Sequence, residues 1–303
     1  MPFELILYRP RGRPPVTIED VDRIATMIPH FAKDGPGGDT VQWRYKNQET
    51  GVHFTLRYNP ENKNTNYVDW NDSPLSISVA LSRPTFFGFE AAPVIARLMK
   101  DLNLGALDKQ PSAIYRQPAR LTEEQIRMSW EKSNQAAVQA IVSSGKNVAR
   151  ASREKMDYFW RYMSSRAALQ ESLGPDVLVP AMNLHKGRDG SVKTSCIWPD
   201  AAKVALPEVD LVLVSREEKK FLSKKKISGA VSYAKISAML KQRVEEKKEP
   251  VKYVLFNKIA DKDLMENLSA LTLEPPESFP KVSADDVVEA AMQKPASQPL
   301  PKK

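Results

Sequence analysis

The 303-residue chain holds one cysteine and three histidines. A single thiol, Cys196, cannot form a disulfide within the chain, and a secreted protein of this length would more often carry paired cysteines, so a reducing, cytoplasmic setting is expected. The histidines, His30, His53 and His185, are scattered, and none has a second ligand at metal-binding spacing. The expectation is no metal and no cofactor. The opening residues carry only a six-residue apolar run with an acid inside it, so no signal peptide is expected there. Elsewhere no apolar run approaches the roughly 20 residues of a membrane helix, so no membrane role is expected.

Catalytic motifs are missing too. The turn from Asp34 to Asp39 is glycine-rich but lacks the Lys-Ser/Thr of a phosphate-binding loop; its proline removes an N–H donor and its acids repel anions. Ser143, Ser144, Ser164 and Ser165 fall on expected helices without a nucleophile-elbow context. Acidic pairs such as Asp20/Asp22 and Glu123/Glu124 lie near helix starts, where dipole compensation accounts for them. Cys196 sits in a strand-like stretch and reads as a small buried hydrophobe. No residue is assigned a catalytic role. An enzyme would require His53 or His185 to meet Cys196 or a carboxylate in space.

What is present is ample core material, with 42% hydrophobic and 27% charged residues. The length favours two folding units. Alternating patterns predict strands over 3–8, 41–45, 52–58 and 75–81, the middle two joined as a hairpin at Glu49-Thr50-Gly51. Helical spacing predicts helices over 18–28 and 86–104, with Pro93 read as a first-turn residue, and a connector over 106–120. The capping box Thr122-Glu-Glu-Gln125 opens a long helix to about 145, and a second, 147–172, ends at Gly174-Pro175, so the two read as an αα-hairpin. Strand-like stretches follow at 177–179, 192–198 and 209–214, then a helix over 233–245, a strand over 251–256, a helix over 261–268 and a helical turn at 284–293. The expected fold class is α+β. The expected domains are an antiparallel unit with helices over 1–115, the helical hairpin plus a mixed β/α unit over 120–274, and a mostly disordered tail over 275–303.

The net charge of +8 is concentrated: +5 falls in 116–170 and +7 in 216–252, where 12 Lys and Arg face 5 Asp and Glu. Within the latter, Lys219, Lys220, Lys224, Lys225 and Lys226 form the densest run and define a polyanion- or nucleic-acid-binding candidate. Its blander reading is a solvated hairpin and helix face, favoured by the interspersed Glu217, Glu218, Glu245, Glu246 and Glu249; an acidic protein partner is equally compatible.

Two stretches carry a family resemblance. Trp43-Arg-Tyr-Lys, with Thr50-Gly-Val-His-Phe-Thr-Leu-Arg-Tyr58, and then Ser82-Arg-Pro-Thr-Phe-Phe-Gly-Phe-Glu-Ala-Ala-Pro93, resemble uncharacterised bacterial proteins of the immunity type found beside polymorphic toxins. The resemblance spans about residues 40–105. It implies a non-catalytic protein that blocks a partner, a cognate toxin, by surface complementarity. Many immunity proteins are acidic; the basic balance here departs from that and argues against a nuclease target. Under this reading Trp70, Arg83, Phe86 and Phe87 are the expected partner-binding anchors, exposed aromatics and arginine being the residues that dominate interfaces. Trp70 has a second reading, folded back on its own sheet. The oligomeric state has no sequence signal.

Overall fold

A computed structural model describes residues 2–34, 41–61, 67–110, 113, 116–199, 201–220, 223–275 and 279–289, and for 216–227 the backbone alone. The fold class is α+β, as expected. The chain divides into two compact units, one formed by residues 1–146 with 288–289, the other by 147–287. The boundary therefore lies near Lys146 and not at 115–120.

The first unit is built on a six-stranded antiparallel sheet of β1 (Phe3–Pro10), β2 (Phe31–Lys33), β3 (Val41–Lys46), β4 (His53–Tyr58), β5 (Trp70–Val79) and β6 (Gly105–Asp108), ordered β2-β3-β4-β5-β1-β6. Alternation decides its faces: along β5, Ser73, Leu75, Ile77 and Val79 are buried while their neighbours are half-exposed. Helix α1 (Ile18–Ala25) starts with the anticipated capping box of Thr17 and Asp20. Two longer helices, α2 (Phe86–Asp101) and α3 (Glu123–Ser143), pack on each other and on the sheet. The segment read as a connector supplies β6, because Gly105–Asp108 is fully buried and pairs antiparallel with β1.

Pro93 is an interior residue of α2, not a first-turn one. An interior proline costs a helix roughly 3 kcal/mol, but α2 buries Phe86, Phe87, Ala91, Ala92, Ile95, Leu98 and Met99, and each large side chain contributes about 1.5–3 kcal/mol. Burial wins. At its N-terminus the main-chain N–H of Thr85 donates to Glu289 at 2.8 Å and the Thr85 hydroxyl binds the same carboxylate, an arrangement the helix dipole favours.

The second unit contains β7 (Ala149–Ala151), α4 (Arg153–Leu173), β8 (Asn183–Lys186), β9 (Val192–Pro199), β10 (Val204–Pro207), β11 (Leu211–Lys220), β12 (Ser223–Ser232), α5 (Tyr233–Leu240), β13 (Glu245–Lys247), β14 (Tyr253–Phe256), α6 (Lys262–Ala270), β15 (Lys281–Val282) and, after a 3-10 turn, β16 (Val287–Glu289), whose last two residues return to the first unit. A mixed sheet runs β12-β11-β9-β8-β15, with β11 and β9 parallel, and a smaller antiparallel one runs β10-β14-β13. The two helices anticipated as an αα-hairpin fall in different units: α3 belongs to the first and packs on α2, whereas α4 belongs to the second. Each has its own apolar stripe to bury, and sequence adjacency did not decide against what. The strand expected at 177–179 is a single bridge between Leu178 and Val204. Residues 279–289, placed in the disordered tail by composition, form β15, the 3-10 turn and β16; residues 290–303 lie outside the described residues. Among the described residues, no helix is long and apolar enough to cross a membrane.

One glycine is dictated by packing. A Cβ on Gly88 would lie 2.6 Å from the Trp130 ring, so the absent side chain is what lets α3 set its fully buried tryptophan against α2. In an open helix Gly→Ala adds about 0.5–1 kcal/mol of stability; here the overlap reverses the sign. Gly88→Ala is expected to lower stability by about 1–3 kcal/mol, read as an earlier thermal unfolding midpoint. A raised midpoint would mean that the tryptophan is not held against this helix.

Candidate functional site, a basic two-stranded ribbon

The expected anchors of a partner surface do not assemble one. Phe86 and Phe87 are 0% exposed and belong to the core of the first unit, with ring centroids 5.2 Å apart and the His53 ring edge-on to Phe87. Their place on the inner face of α2 is the physical reason, and it overturns the expectation that they are exposed. Trp70 adopts the second of its two readings: it packs with Tyr67 on Ile6, Tyr8 and Leu107. Its ring also occupies the place a Cβ on Gly105 would take, 2.6 Å away. The Tyr8 hydroxyl beneath this lid is pushed up to about 12 by burial, reinforced by Tyr67 and Asp72. Arg83 is half-buried, its main chain clamped by the Asn134 amide through bonds of 3.1 and 2.8 Å, and its Nε is buried without a partner.

His53 lies in the first unit and Cys196 in the second. Cys196 is fully buried and burial pushes its thiol well above the ordinary range, which disfavours a thiolate. His185, also buried, meets Ser195 instead: Nε2 is 2.8 Å from the Ser195 hydroxyl and Nδ1 is 2.7 Å from the Phe279 carbonyl oxygen. The carbonyl can only accept, so Nδ1 donates and Nε2 accepts from the serine. Ser195 is 0% exposed. Both ring nitrogens are spent on joining β8, β9 and the 279–282 segment. No cluster of three or more potential metal ligands occurs among the described residues. Of the Asp34–Asp39 turn, residues 35–40 lie outside them.

Charge is where the structure discriminates. Much of the first basic segment is tied down: Arg127 pairs with Glu131 at 3.0 Å and lies over the Phe89 ring, Lys155 binds Asp210, Arg120 donates to Asn103, and Arg166 donates to the Val179 carbonyl. In the second, Arg243 pairs with Asp261, Lys247 with Glu245 and Lys252 with Glu208, at 3.1, 2.8 and 2.9 Å. The densest run of positive charge in the sequence falls on the β11–β12 hairpin.

These two strands pair antiparallel over ten registers, from Leu211↔Ser232 to Lys220↔Ser223. β9 flanks β11 only as far as Ser215↔Pro199, and the outer edge of β12 is bridged at Ala230↔Glu274. Beyond those points, among the described residues, β11 and β12 pair only with each other. Five residues of β11 at about 3.4 Å each carry the ribbon roughly 17 Å past the last flanking strand. The sequence explains the change of character: 209–214 is apolar and β-branched and stays in the sheet, while from Arg216 outward charge replaces it and no second layer is needed. The register sets Glu217 opposite Lys226, Glu218 opposite Lys225, Lys219 opposite Lys224, Arg216 opposite Ile227 and Lys220 opposite Ser223. Like charges directly opposite are destabilising.

The root of the ribbon is clamped by Asp210, the residue before β11. Its carboxylate accepts from Lys155 at 2.7 and 3.0 Å, from the Thr194 N–H at 2.7 Å and from the Thr194 hydroxyl at 3.0 Å. Its N–H donates to the Thr194 carbonyl at 3.1 Å and its carbonyl accepts from Tyr233 N–H at 3.0 Å, where β12 ends. Burial opposes the ionised carboxylate, but Lys155 and Thr194 together prevail, and its pKa is held below the usual range. Sequence reading missed this clamp, although an acid inside the apolar run Val209-Asp-Leu-Val-Leu-Val214 was the available signal.

No family model matches the chain, and no curated protein or solved structure matches it either.

Because the folded Asp210 is depressed, its contribution is fully present above the unfolded aspartate value of about 3.9 and is lost as pH falls through the lower folded value. Asp210→Asn should therefore be less stable than the natural chain by about 2 kcal/mol at pH 7, with the gap closing below about pH 4. Urea unfolding of both proteins across pH 3–7 tests this. A gap independent of pH would remove the ionised clamp from the account.

Proposed function

We propose that this is a non-catalytic binding protein whose binding element is the β11–β12 ribbon and whose ligand is a polyanion. The observation that carries the reading is a two-stranded arm that extends past its sheet and bears six cations, Arg216, Lys219, Lys220, Lys224, Lys225 and Lys226, against two glutamates. Structural duties account poorly for that composition: the arm's registers place one lysine opposite another, and relief of this repulsion by an anion supplies binding energy. Lys235 and Lys241, exposed on and just after α5, add to the same charge sign next to the root in sequence.

The Asp210 clamp supports the same reading, since a lever fixed at its base presents charges with less ordering cost on binding. The immunity-type reading rests on residues 40–105, where two of its four anchors are core and a third is a lid over its own sheet. The ribbon depends on none of them.

The full chain should bind a heparin column and elute above physiological ionic strength, about 0.15 M. Replacing Lys224, Lys225 and Lys226 with glutamine should move elution to clearly lower salt while the far-ultraviolet circular dichroism is unchanged. Early elution of the natural chain, or an unchanged position for the variant, would refute ribbon-mediated polyanion binding.

A further inference from the structure

We propose that the first unit carries a small-molecule site, a pocket of about 250 Å³ between the C-terminal turn of α2 and the segment that leads into α3, and that its ligand is a small carboxylate with an apolar body. All of its lining residues belong to the first unit, so the site is independent of the ribbon reading. The floor is apolar: Met99, Leu104 and Leu121 are buried and Ala96 is half-buried. Both walls are fixed by main-chain bonds. On one side the Leu104 N–H donates to the Met99 carbonyl at 2.7 Å and closes α2, with Asn103 in the left-handed region at φ 54°, which asparagine tolerates. On the other, Ala119 exchanges two bonds with Ala106 at 2.8 and 3.1 Å, and the capping box of Thr122 and Gln125 fixes the first turn of α3. Small-molecule sites are mostly pre-formed, apolar in lining and supplied with a few placed polar groups. This pocket has that composition.

Charge selects the head of the ligand. The rim bears two exposed cations, Lys100 and Arg120, and among the described residues no acid lines the pocket. Asp101, next to Lys100 in the chain, is engaged by Arg97 at 3.5 Å. Arg120 donates to the Asn103 side-chain oxygen at 2.7 Å, which holds it on the rim; a guanidinium has five N–H donors, so others remain for an anion. A cation beside a helix C-terminus also offsets the helix dipole. Here, however, the last carbonyls of α2 are already met, Leu98 by the N–H of Leu102, Met99 by that of Leu104 and Lys100 by that of Asn103. Size selects the body. A cavity of about 150 Å³ takes benzene, so this pocket holds, in proportion, about ten non-hydrogen atoms. A phenyl ring on a short acid fits that volume, and a nucleotide is too large for it.

The experiment is an NMR titration of the full chain with isotope-labelled methionine methyl groups, since Met99 lies on the floor of the pocket. The probes are hydrocinnamate, its neutral amide, the phenylpropylammonium ion and acetate. Hydrocinnamate is expected to shift the Met99 signal, assigned with Met99→Leu, saturably and with a Kd on the order of 1 mM or below. Met163 and Met182, buried in the second unit, should not move. The amide, the ammonium ion and acetate should each bind about tenfold or more weakly. Lys100→Gln and Arg120→Gln should each weaken hydrocinnamate by about tenfold and leave the amide unchanged. Absence of a Met99 shift at about ten times that Kd, or binding of the amide or the ammonium ion as tight as that of the acid, would overturn the proposal. So would an unaltered hydrocinnamate affinity in both charge variants. The comparison of the four probes uses the unmodified chain, so it decides even if a variant fails to fold. Elution from heparin reads the ribbon instead, so either proposal can fail while the other stands.

Discussion

The arrangement of the second unit depends on one carboxylate. Asp210 sits where an apolar strand begins, and a bare acid there would carry a large desolvation cost. It is held ionised by Lys155 from α4 and by the N–H and hydroxyl of Thr194 from β9. Those bonds tie α4 and β9 to the base of β11, and the Asp210 carbonyl ties in the end of β12 through Tyr233. A helix, the parallel strand pair and both legs of the ribbon thus meet at a single residue. The clamp is local, while the arm it aims extends well beyond the sheet.

The same logic of polar pins on apolar layers recurs in the first unit. Glu90 on α2 accepts from Tyr45, Asn47 and Thr50 at 2.9, 2.8 and 3.0 Å, fixing the helix against the β3–β4 hairpin. Trp130 donates to the Ala80 carbonyl at 3.1 Å while its ring lies against Gly88. These contacts consume the polar and aromatic groups that a sequence reader would reserve for a partner.

Legibility followed range. Strands with clean alternation, such as 53–58 and 75–79, and capped helices such as that opened by Thr122 are set by neighbours one to four residues away, and they were readable. Partnership across the chain was not. The helix beginning at Thr122 was assigned to the following helix because they are adjacent, whereas Trp130 and the missing side chain of Gly88, 42 residues earlier, join it to α2. Phe86 and Phe87 have the composition of interface anchors, and only the direction of α2 turns them inward. The basic run 219–226 was legible as charge, but its identity as a flanked-then-free ribbon required knowing that β9 ends at Pro199. The Asp210 clamp joins residues 16 and 55 positions apart, and only the acid within an apolar run hinted at it.

Ribbon-mediated binding requires that ligand cover the β11–β12 arm. Amide hydrogen exchange of the full chain, with and without saturating duplex DNA or a heparin oligosaccharide, addresses this directly, because paired but unflanked strands exchange readily until covered. The account predicts added protection centred on 216–227 and little change in the 86–105 region. Protection concentrated in the first unit, with the ribbon unaltered, would contradict it.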